Sequence, residues 1–166
     1  MAVTISGSGQ IVKQIQSTLA TNAFTTNSTS MIDITGMSVS ITPTSSSNKV
    51  LVSLTMNFSK SVAGYGNAFQ ITRNGTPVGI GTLGTTAPNY GFAANIPSAN
   101  GMYSVNFVFL DSPSSTSALT YKVQVRVESG GGTFSLNNNP GYLNGGTDVY
   151  HAAYASSITA QEIAYA

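Results

Sequence analysis

The sequence contains one histidine, His151, and any search for catalytic residues begins there. Asp148 lies three residues before it, and Ser156 and Ser157 follow it, so a serine nucleophile with a histidine base is conceivable. The spacing is local, however, and neither serine lies in the glycine-bounded turn that presents the nucleophile in many hydrolases. We therefore expect His151 to have a structural role.

Carboxylate and metal chemistry have equally little support. The chain has only five acidic residues, and most of them stand at predicted strand ends or turns: Asp33, Asp111, Glu128, Asp148 and Glu162. A glycosidase needs a facing pair of carboxylates, and a site for a hard cation needs several clustered oxygens. Cysteine is absent, which excludes thiolate zinc sites and iron–sulfur clusters. The sequence predicts no catalytic residue, no metal and no cofactor.

Aromatic residues in predicted loops point to binding instead. Tyr90, Phe92, Tyr142 and Tyr150 lie among asparagines and glycines. Tyrosine in such loops can stack on a sugar ring, and it is also common where protein subunits meet. We take these four residues as candidate contact residues, with either a glycan or another protein as the partner.

The elements that must position these residues are β-strands. The segment SALTYKVQVRVE alternates apolar and polar residues from Ser117 to Glu128, which is the period of a half-buried strand. A second stripe has the same period: Val50, Val52, Leu54, Met56 and Phe58. In the segment 102–110, Tyr103, Val105, Phe107 and Phe109 share one side, and Met102, Val108 and Leu110 belong to the other. We expect one of its faces to contact the core and the other to contact a partner.

Turn residues divide the remaining chain into short strands. Asn74–Gly75 predicts a hairpin turn, and Pro77 predicts that the following arm lies at a sheet edge. The segment 11–19 suits either a strand or a short amphipathic helix, and we expect a strand. The segment 25–30 is expected to be a loop or an edge, the strand 31–34 to close at Gly36, and the segment 82–101 to be a surface loop. No convincing helix is found, so the predicted fold is a single all-β antiparallel sandwich or barrel.

Composition limits the partners. The chain has 166 residues, a net charge of +1 and only 7% charged residues, against ~25% in an ordinary soluble domain. Its six lysines and arginines are dispersed, so we expect no nucleic-acid binding. No apolar run approaches the ~20 residues of a membrane span, and the opening MAVTISGSGQ lacks the features of a signal peptide. We expect a protein that is made in a cytoplasm and does not bind membranes.

Several segments together carry a resemblance. VKQIQSTLAT, SITPTSSSNKVLV, NAFQITRNGTPVGIG, FLDSPSSTSALTYKVQV and the closing SITAQEI resemble a β-sandwich module in structural proteins of tailed bacteriophages, especially marine and cyanobacterial ones. The match covers nearly the whole chain. It implies a jelly roll similar to trimeric tumour-necrosis-factor-like and complement-like heads, located on a virion, and it brings no catalytic residues.

The resemblance leaves two functions open. One is a homotrimeric decoration or cement protein that binds the major capsid protein or another virion protein, with residues 1–9 as a docking arm and residues 10–166 as one sandwich domain. The alternative is a tail-fibre or knob head that recognises a host surface glycan. Because no extended shaft precedes the module in this chain, we favour the decoration protein.

Overall fold

A computed structural model describes residues 10–82, 88–139 and 153–165, and within these ranges the chain forms eleven β-strands and no helix. The strands in chain order are β1 (Gln10–Ala20), β2 (Phe24–Thr26), β3 (Ile32–Ile41), β4 (Lys49–Lys60), β5 (Gly66–Arg73), β6 (Thr76–Val78), β7 (Phe92–Asn95), β8 (Tyr103–Asp111), β9 (Leu119–Val127), β10 (Phe134–Leu136) and β11 (Ser156–Tyr165).

The strands form two sheets in which every pairing is antiparallel. The first sheet has the order β1-β11-β4-β8 over most of its length, and β10 and β2 extend it beside the far end of β4. The second has the order β3-β9-β5, and both β6 and β7 pair with β5. Neighbouring strands come from distant parts of the chain, as in a jelly roll of two Greek keys.

The core lies between the two sheets and is built from the alternating apolar residues. The stripe of β4 is fully buried from Val50 to Phe58, and that of β9 from Leu119 to Val127. Aromatic rings fill one end, where Phe58 stacks on Phe134 with 5.5 Å between the ring centroids. Burial of this kind contributes roughly 1.5–3 kcal/mol for each large side chain. The packing therefore explains why the period-two pattern governs the fold.

Most strand predictions are confirmed. The fold is an all-β antiparallel sandwich, and residues 11–19 lie in a strand, β1. Asn74 and Gly75 have φ angles of 49° and 87°, as the predicted hairpin turn requires. Pro77 lies in β6, which pairs only with β5 among the described residues and is thus an edge strand.

Two boundaries were wrong. The segment 82–101 is not entirely a loop, because β7 pairs with residues 66–69 of β5. The strand predicted to close at Gly36 instead continues to Ile41, since Gly36 takes a positive φ of 88° within an irregularity in the pairing of β3 with β9. In both cases local glycine and proline signals were overridden by pairing with a distant strand. The edge expected in the segment 25–30 is found as the short β2.

Candidate contact surface

The outer side of the first sheet forms an uncharged surface of three rows, which we call the neutral face. Each row crosses β1, β11, β4 and β8, and the strand register gives its members as Ile15, Gln161, Leu51 and Leu110, then Ser17, Thr159, Ser53 and Val108, then Leu19, Ser157, Thr55 and Asn106. None of these twelve residues is acidic or basic. Lys49 follows the rows at one end of β4.

Large aliphatic side chains are exposed on this side of the sandwich. The exposed fraction is 55% for Ile15, 66% for Leu19, 58% for Val108 and 46% for Leu110. With Val12, these are five of the six large hydrophobic side chains that are exposed among the described residues. Single exposed aliphatic residues are ordinary, but a group on one sheet face is typical of a contact surface.

Four polar residues of the neutral face bond to one another in two pairs. The hydroxyls of Ser17 and Thr159 lie 2.9 Å apart, and Thr55 Oγ1 donates to Asn106 Oδ1 at 2.7 Å. Beside the third row, Ser104 donates to Asn57. Because these groups already have partners across the strands, covering the face with another protein would leave fewer polar groups unsatisfied. The neutral face is therefore suited to burial.

The strand β8 adds a free edge next to this face. Among the described residues it pairs with β4 alone, over nine residues. Natural edge strands are usually protected by charges, proline or short length. Tyr103–Asp111 has no proline, and its only charged residue is the terminal Asp111. An edge of this length and composition can accept a further strand or pack against another subunit.

The outer side of the second sheet differs in chemistry. Lys122 Nζ lies 2.8 Å from Asp33 Oδ2, and Gln124 Nε2 donates to Asp33 Oδ1 at 2.7 Å. The bonds from Lys122 and Gln124 hold the pKa of Asp33 below its ordinary value. Gln70 in turn donates to Gln124 at 2.7 Å. This outer side is a polar, charged surface of the kind that faces water.

Tyr90 lies at the polar side of the sandwich. Arg126 Nη1 donates to its hydroxyl at 2.7 Å, and the guanidinium carbon lies 6.0 Å from the ring centroid. Both residues line a surface depression of about 280 Å³, together with Pro88, Ala93 and Glu128 among others. A tyrosine ring beside an arginine and a carboxylate is chemically suited to a polar ligand such as a sugar. The sequence pattern did not identify Arg126 as a candidate contact residue.

Phe92 has a different environment. It begins β7, and its ring stacks between Phe69 and Phe107 with centroid distances of 4.9 and 4.8 Å. The structure thus gives Phe92 a packing contact with the core and does not place it with Arg126. Its proposed role as a contact residue stays a prediction. Tyr142, Tyr150, Asp148 and His151 lie outside the described residues.

Each carboxylate in the described part of the chain has a structural partner. Asp111 accepts from Arg73 Nη1 at 2.7 and 2.8 Å, and Tyr121 donates its hydroxyl to it at 2.7 Å. Glu162 is fully buried and accepts from Asn48, Thr44 and Gln14. The described residues contain no group of three or more histidines or acids that could hold a metal ion. They also contain no helix long and apolar enough to cross a membrane.

No protein-family profile and no curated protein matches the chain. Among solved structures, a mutant VP2 protein of infectious bursal disease virus from derived T=1 particles is 17% identical, with 98% of this chain and 38% of that chain covered and a TM-score of 0.47. The VP2 subviral particle of the same virus is 14% identical, with 98% of this chain and 41% of that chain covered and a TM-score of 0.45. The structure of the Gt strain of the virus is 13% identical, with 92% of this chain and 39% of that chain covered and a TM-score of 0.45. The chain spans about two-fifths of the length of these proteins.

Proposed function

We propose that this chain is a non-enzymatic structural protein of a bacteriophage virion, a homotrimeric decoration or cement protein that docks on the major capsid shell. The neutral face is the observation that carries the proposal. It offers exposed aliphatic side chains, polar groups that already have partners and no charge within its three rows. The sequence resemblance to phage β-sandwich modules supports the location on a virion.

A second copy of the chain suits this face because it has no charge. A charged group at the centre of an interface between identical subunits must lose its hydration, which costs free energy. In a symmetric interface it can also lie close to the same charge on the other subunit. The charged residues of the second sheet, such as Lys122 and Asp33, lie on the opposite side of the sandwich. Packing through the neutral face would therefore bury few charges.

A closed ring needs two different surfaces on each subunit, and the first sheet provides two. The neutral face is one, and the free edge of β8 beside it is the other. The three rows span five residues on each of four strands, which cover roughly 300 Å² at the usual strand spacing and rise. A standard interface buries ~800 Å² on each partner, so the β8 edge must add to the neutral face. Packing of the face of one copy against the edge of the next would meet this need.

The composition fits a shell protein that functions outside the cell. The chain has no cysteine and so cannot be stabilised by disulfides. Burial of the neutral face between subunits would supply stability instead. Residues 1–9, which lie outside the described residues, would act as the arm that docks on the capsid. A carboxylate-based reaction has little support, because each described carboxylate already bonds to a structural partner.

The test is to locate the chain on intact particles by density in a virion reconstruction or by antibody labelling. Trimers repeated over the head lattice are the expected result. Signal that is confined to the tail or to a few appendages would overturn the decoration protein and favour host recognition. An absence from purified particles, with expression in infected cells, would overturn a virion role altogether.

The alternative is a fibre or knob head that binds a host surface glycan, and the depression at Tyr90 and Arg126 is the observation that favours it. Binding of the purified protein to a panel of immobilised host glycans would test it. Tyr90→Ala should abolish binding if the ring stacks on a sugar, whereas Tyr90→Phe should retain most of it. Thr76→Ala, on the exposed β6 edge, is the matched control and should bind normally.

A further inference from the structure

One lysine lies inside the sandwich. Lys60 is the last residue of β4 and its exposed fraction is 0%. Its Nζ donates to the carbonyl oxygens of Tyr65 and Gly66, both at 3.1 Å, and lies 5.7 Å from the centroid of the Tyr65 ring. Lysine is almost never fully buried without a paired charge in direct contact, so this position requires an explanation.

Burial disfavours the charge on the Lys60 amine, while the two carbonyl oxygens and the Tyr65 ring favour it. Burial lowers the pKa of the Lys60 amine, and the negative charge of Glu128 opposes that change in part. A neutral amine is the reactive form of lysine, and desolvation is the usual way in which proteins make it accessible. Space at the amine depends on a glycine, because a Cβ at Gly131 would lie 2.5 Å from Nζ. The chain thus keeps room for this nitrogen.

An unpaired amide lies beside the lysine. Asn67, the second residue of β5, is 1% exposed, and neither its Nδ2 nor its Oδ1 has a hydrogen-bond partner. Buried amides in folded proteins almost always have partners, and each unpaired group costs free energy. Asn67 alternates with Phe69 and Ile71 on the buried side of β5, so it points into the core from the second sheet. Lys60, in β4, belongs to the first sheet.

Shared contacts bring the two residues and a carboxylate to one place. Lys60 Nζ bonds to the carbonyl of Gly66, which is covalently joined to the nitrogen of Asn67. Glu128 Oε2 accepts from the Gly66 N–H at 2.8 Å, and the Glu128 N–H donates to the Gly66 carbonyl at 3.1 Å. The amine of Lys60 and the carboxamide of Asn67 therefore lie beside one dipeptide at an end of the core, whereas Glu128 is exposed and contacts the same dipeptide from the solvent side.

We propose that Lys60 and Asn67 react to form an intramolecular isopeptide bond that joins β4 to β5 and hence one sheet to the other. Nζ of the neutral amine attacks Cγ of Asn67, and the new N–C bond forms as the Cγ–Nδ2 bond breaks. One proton moves from Nζ to Nδ2, which leaves as ammonia. One amide replaces another, so no oxidant, reductant or cofactor is needed. The reaction explains both the buried lysine and the unpaired asparagine.

Intact mass and a tryptic digest test the bond in the full-length protein. We expect the protein to be lighter than its sequence by one ammonia molecule. Trypsin should not cut after the modified Lys60, so residues 50–73 should appear as one peptide that has lost ammonia. Full mass with separate peptides 50–60 and 61–73 would overturn the proposal. Succinimide formation at Asn74–Gly75 also releases ammonia but leaves Lys60 cleavable, and that pattern would overturn it too.

Variants separate the roles of the three residues. Asn67→Asp should still form the bond but lose one water molecule in place of ammonia, and Lys60→Met should keep its full mass. Glu128→Gln should form the bond at the wild-type rate, because Glu128 is exposed and its carboxylate bonds to the Gly66 N–H. Lys122→Met is the matched control, since the Lys122 amine pairs with Asp33 at the surface. This variant should lose ammonia as the wild-type protein does. A much slower reaction in Glu128→Gln would overturn direct proton transfer between the two nitrogens.

Discussion

Two aspartates in this chain form ion pairs in contrasting surroundings. Asp111 is nearly buried at the end of β8, where it binds Arg73 and accepts the Tyr121 hydroxyl. Burial, followed by the Asp111 carboxylate, raises the pKa of Tyr121 far above its usual range, so this hydroxyl stays a donor. Asp33 pairs with Lys122 on the outer side of the second sheet, where the side chains are 44% and 47% exposed. The two pairs should contribute very differently to stability.

We expect Asp111→Asn to lower the free energy of unfolding by about 2–3 kcal/mol, because it leaves a largely buried guanidinium without its counter-charge. Asp33→Asn should change it by less than about 0.5 kcal/mol, as is usual for exposed pairs. Urea unfolding of both variants at neutral pH and equal protein concentration measures the difference. Equal effects of the two substitutions would contradict the assignment of Asp111 as the structural carboxylate.

Glu162 makes stability depend on pH. Burial alone would raise its pKa, but hydrogen bonds from Asn48, Thr44 and Gln14 outweigh burial and lower the pKa from 4.5 to about 2. A carboxyl with a depressed folded-state pKa stabilises the fold above its unfolded pKa, and this contribution is lost as the pH falls through the folded value. The relevant window is therefore from about pH 4.5 down to pH 2.

Across that window we expect the unmodified protein to lose roughly 3 kcal/mol of stability through Glu162. Glu162→Gln should be less stable at neutral pH, and its difference from the unmodified protein should shrink as the pH falls. Denaturant unfolding at several pH values tests this, with Asp33→Asn as the half-exposed control that should follow the unmodified protein more closely. Parallel pH curves for the two proteins would show that Glu162 titrates normally.

These residue-scale features could be predicted only in part from the sequence. Tyr90 lies outside the strands as expected, and its role as a contact residue stays a prediction; its partner Arg126 lies 36 residues away and is brought near by the fold. Lys60 and Asn67 have the parity of the buried residues of β4 and β5, but polar residues at strand ends usually reach solvent, so the sequence did not mark them as buried. Glu162 lies in the last strand among small residues, and its partners come from positions 14, 44 and 48. Long-range contacts of this kind have no local signal.

At the scale of elements, period-two alternation predicted the strands that form the core. The pattern succeeds for β4 and β9 because one face of each is buried, and a shift of one residue would expose the whole stripe. It fails for β7, a four-residue strand within a segment rich in glycine and proline, where pairing with β5 decides the conformation. The sequence predicts that the outer side of β8 contacts a partner; Val108 and Leu110 are exposed there in the single subunit, and the partner stays a prediction.

Val108 provides the test of the neutral face at this scale. Val108→Asp introduces a charge in the middle row, next to Ser53, so we expect the proposed trimer to dissociate to monomers. Thr76→Asp on the β6 edge of the second sheet is the matched control and should leave the assembly unchanged. Sedimentation velocity at several concentrations distinguishes the states. A wild-type protein that remains monomeric at high concentration would refute assembly through this face.

At the scale of the whole molecule, the sandwich separates two chemistries. The first sheet presents the neutral face and, among the described residues, an edge of β8 that pairs only with β4, and the second presents hydrogen-bonded charges and the depression at Tyr90. A subunit that is buried against its copies through the first sheet would still expose the second. This arrangement allows assembly and binding to occur on opposite sides of one small domain.

The docking arm proposed for residues 1–9 also concerns the whole molecule, since it would attach the assembled protein to a shell. Removal of residues 1–9 should leave the trimer intact, because the neutral face begins at Ile15, but should abolish co-sedimentation with capsids that lack the protein. Val108→Asp should leave the arm intact but separate the subunits. The monomers should still bind capsids, more weakly than the trimer, because three arms on one trimer bind with a higher effective concentration than one. Normal capsid binding by the truncated protein would transfer the docking role to the sandwich itself.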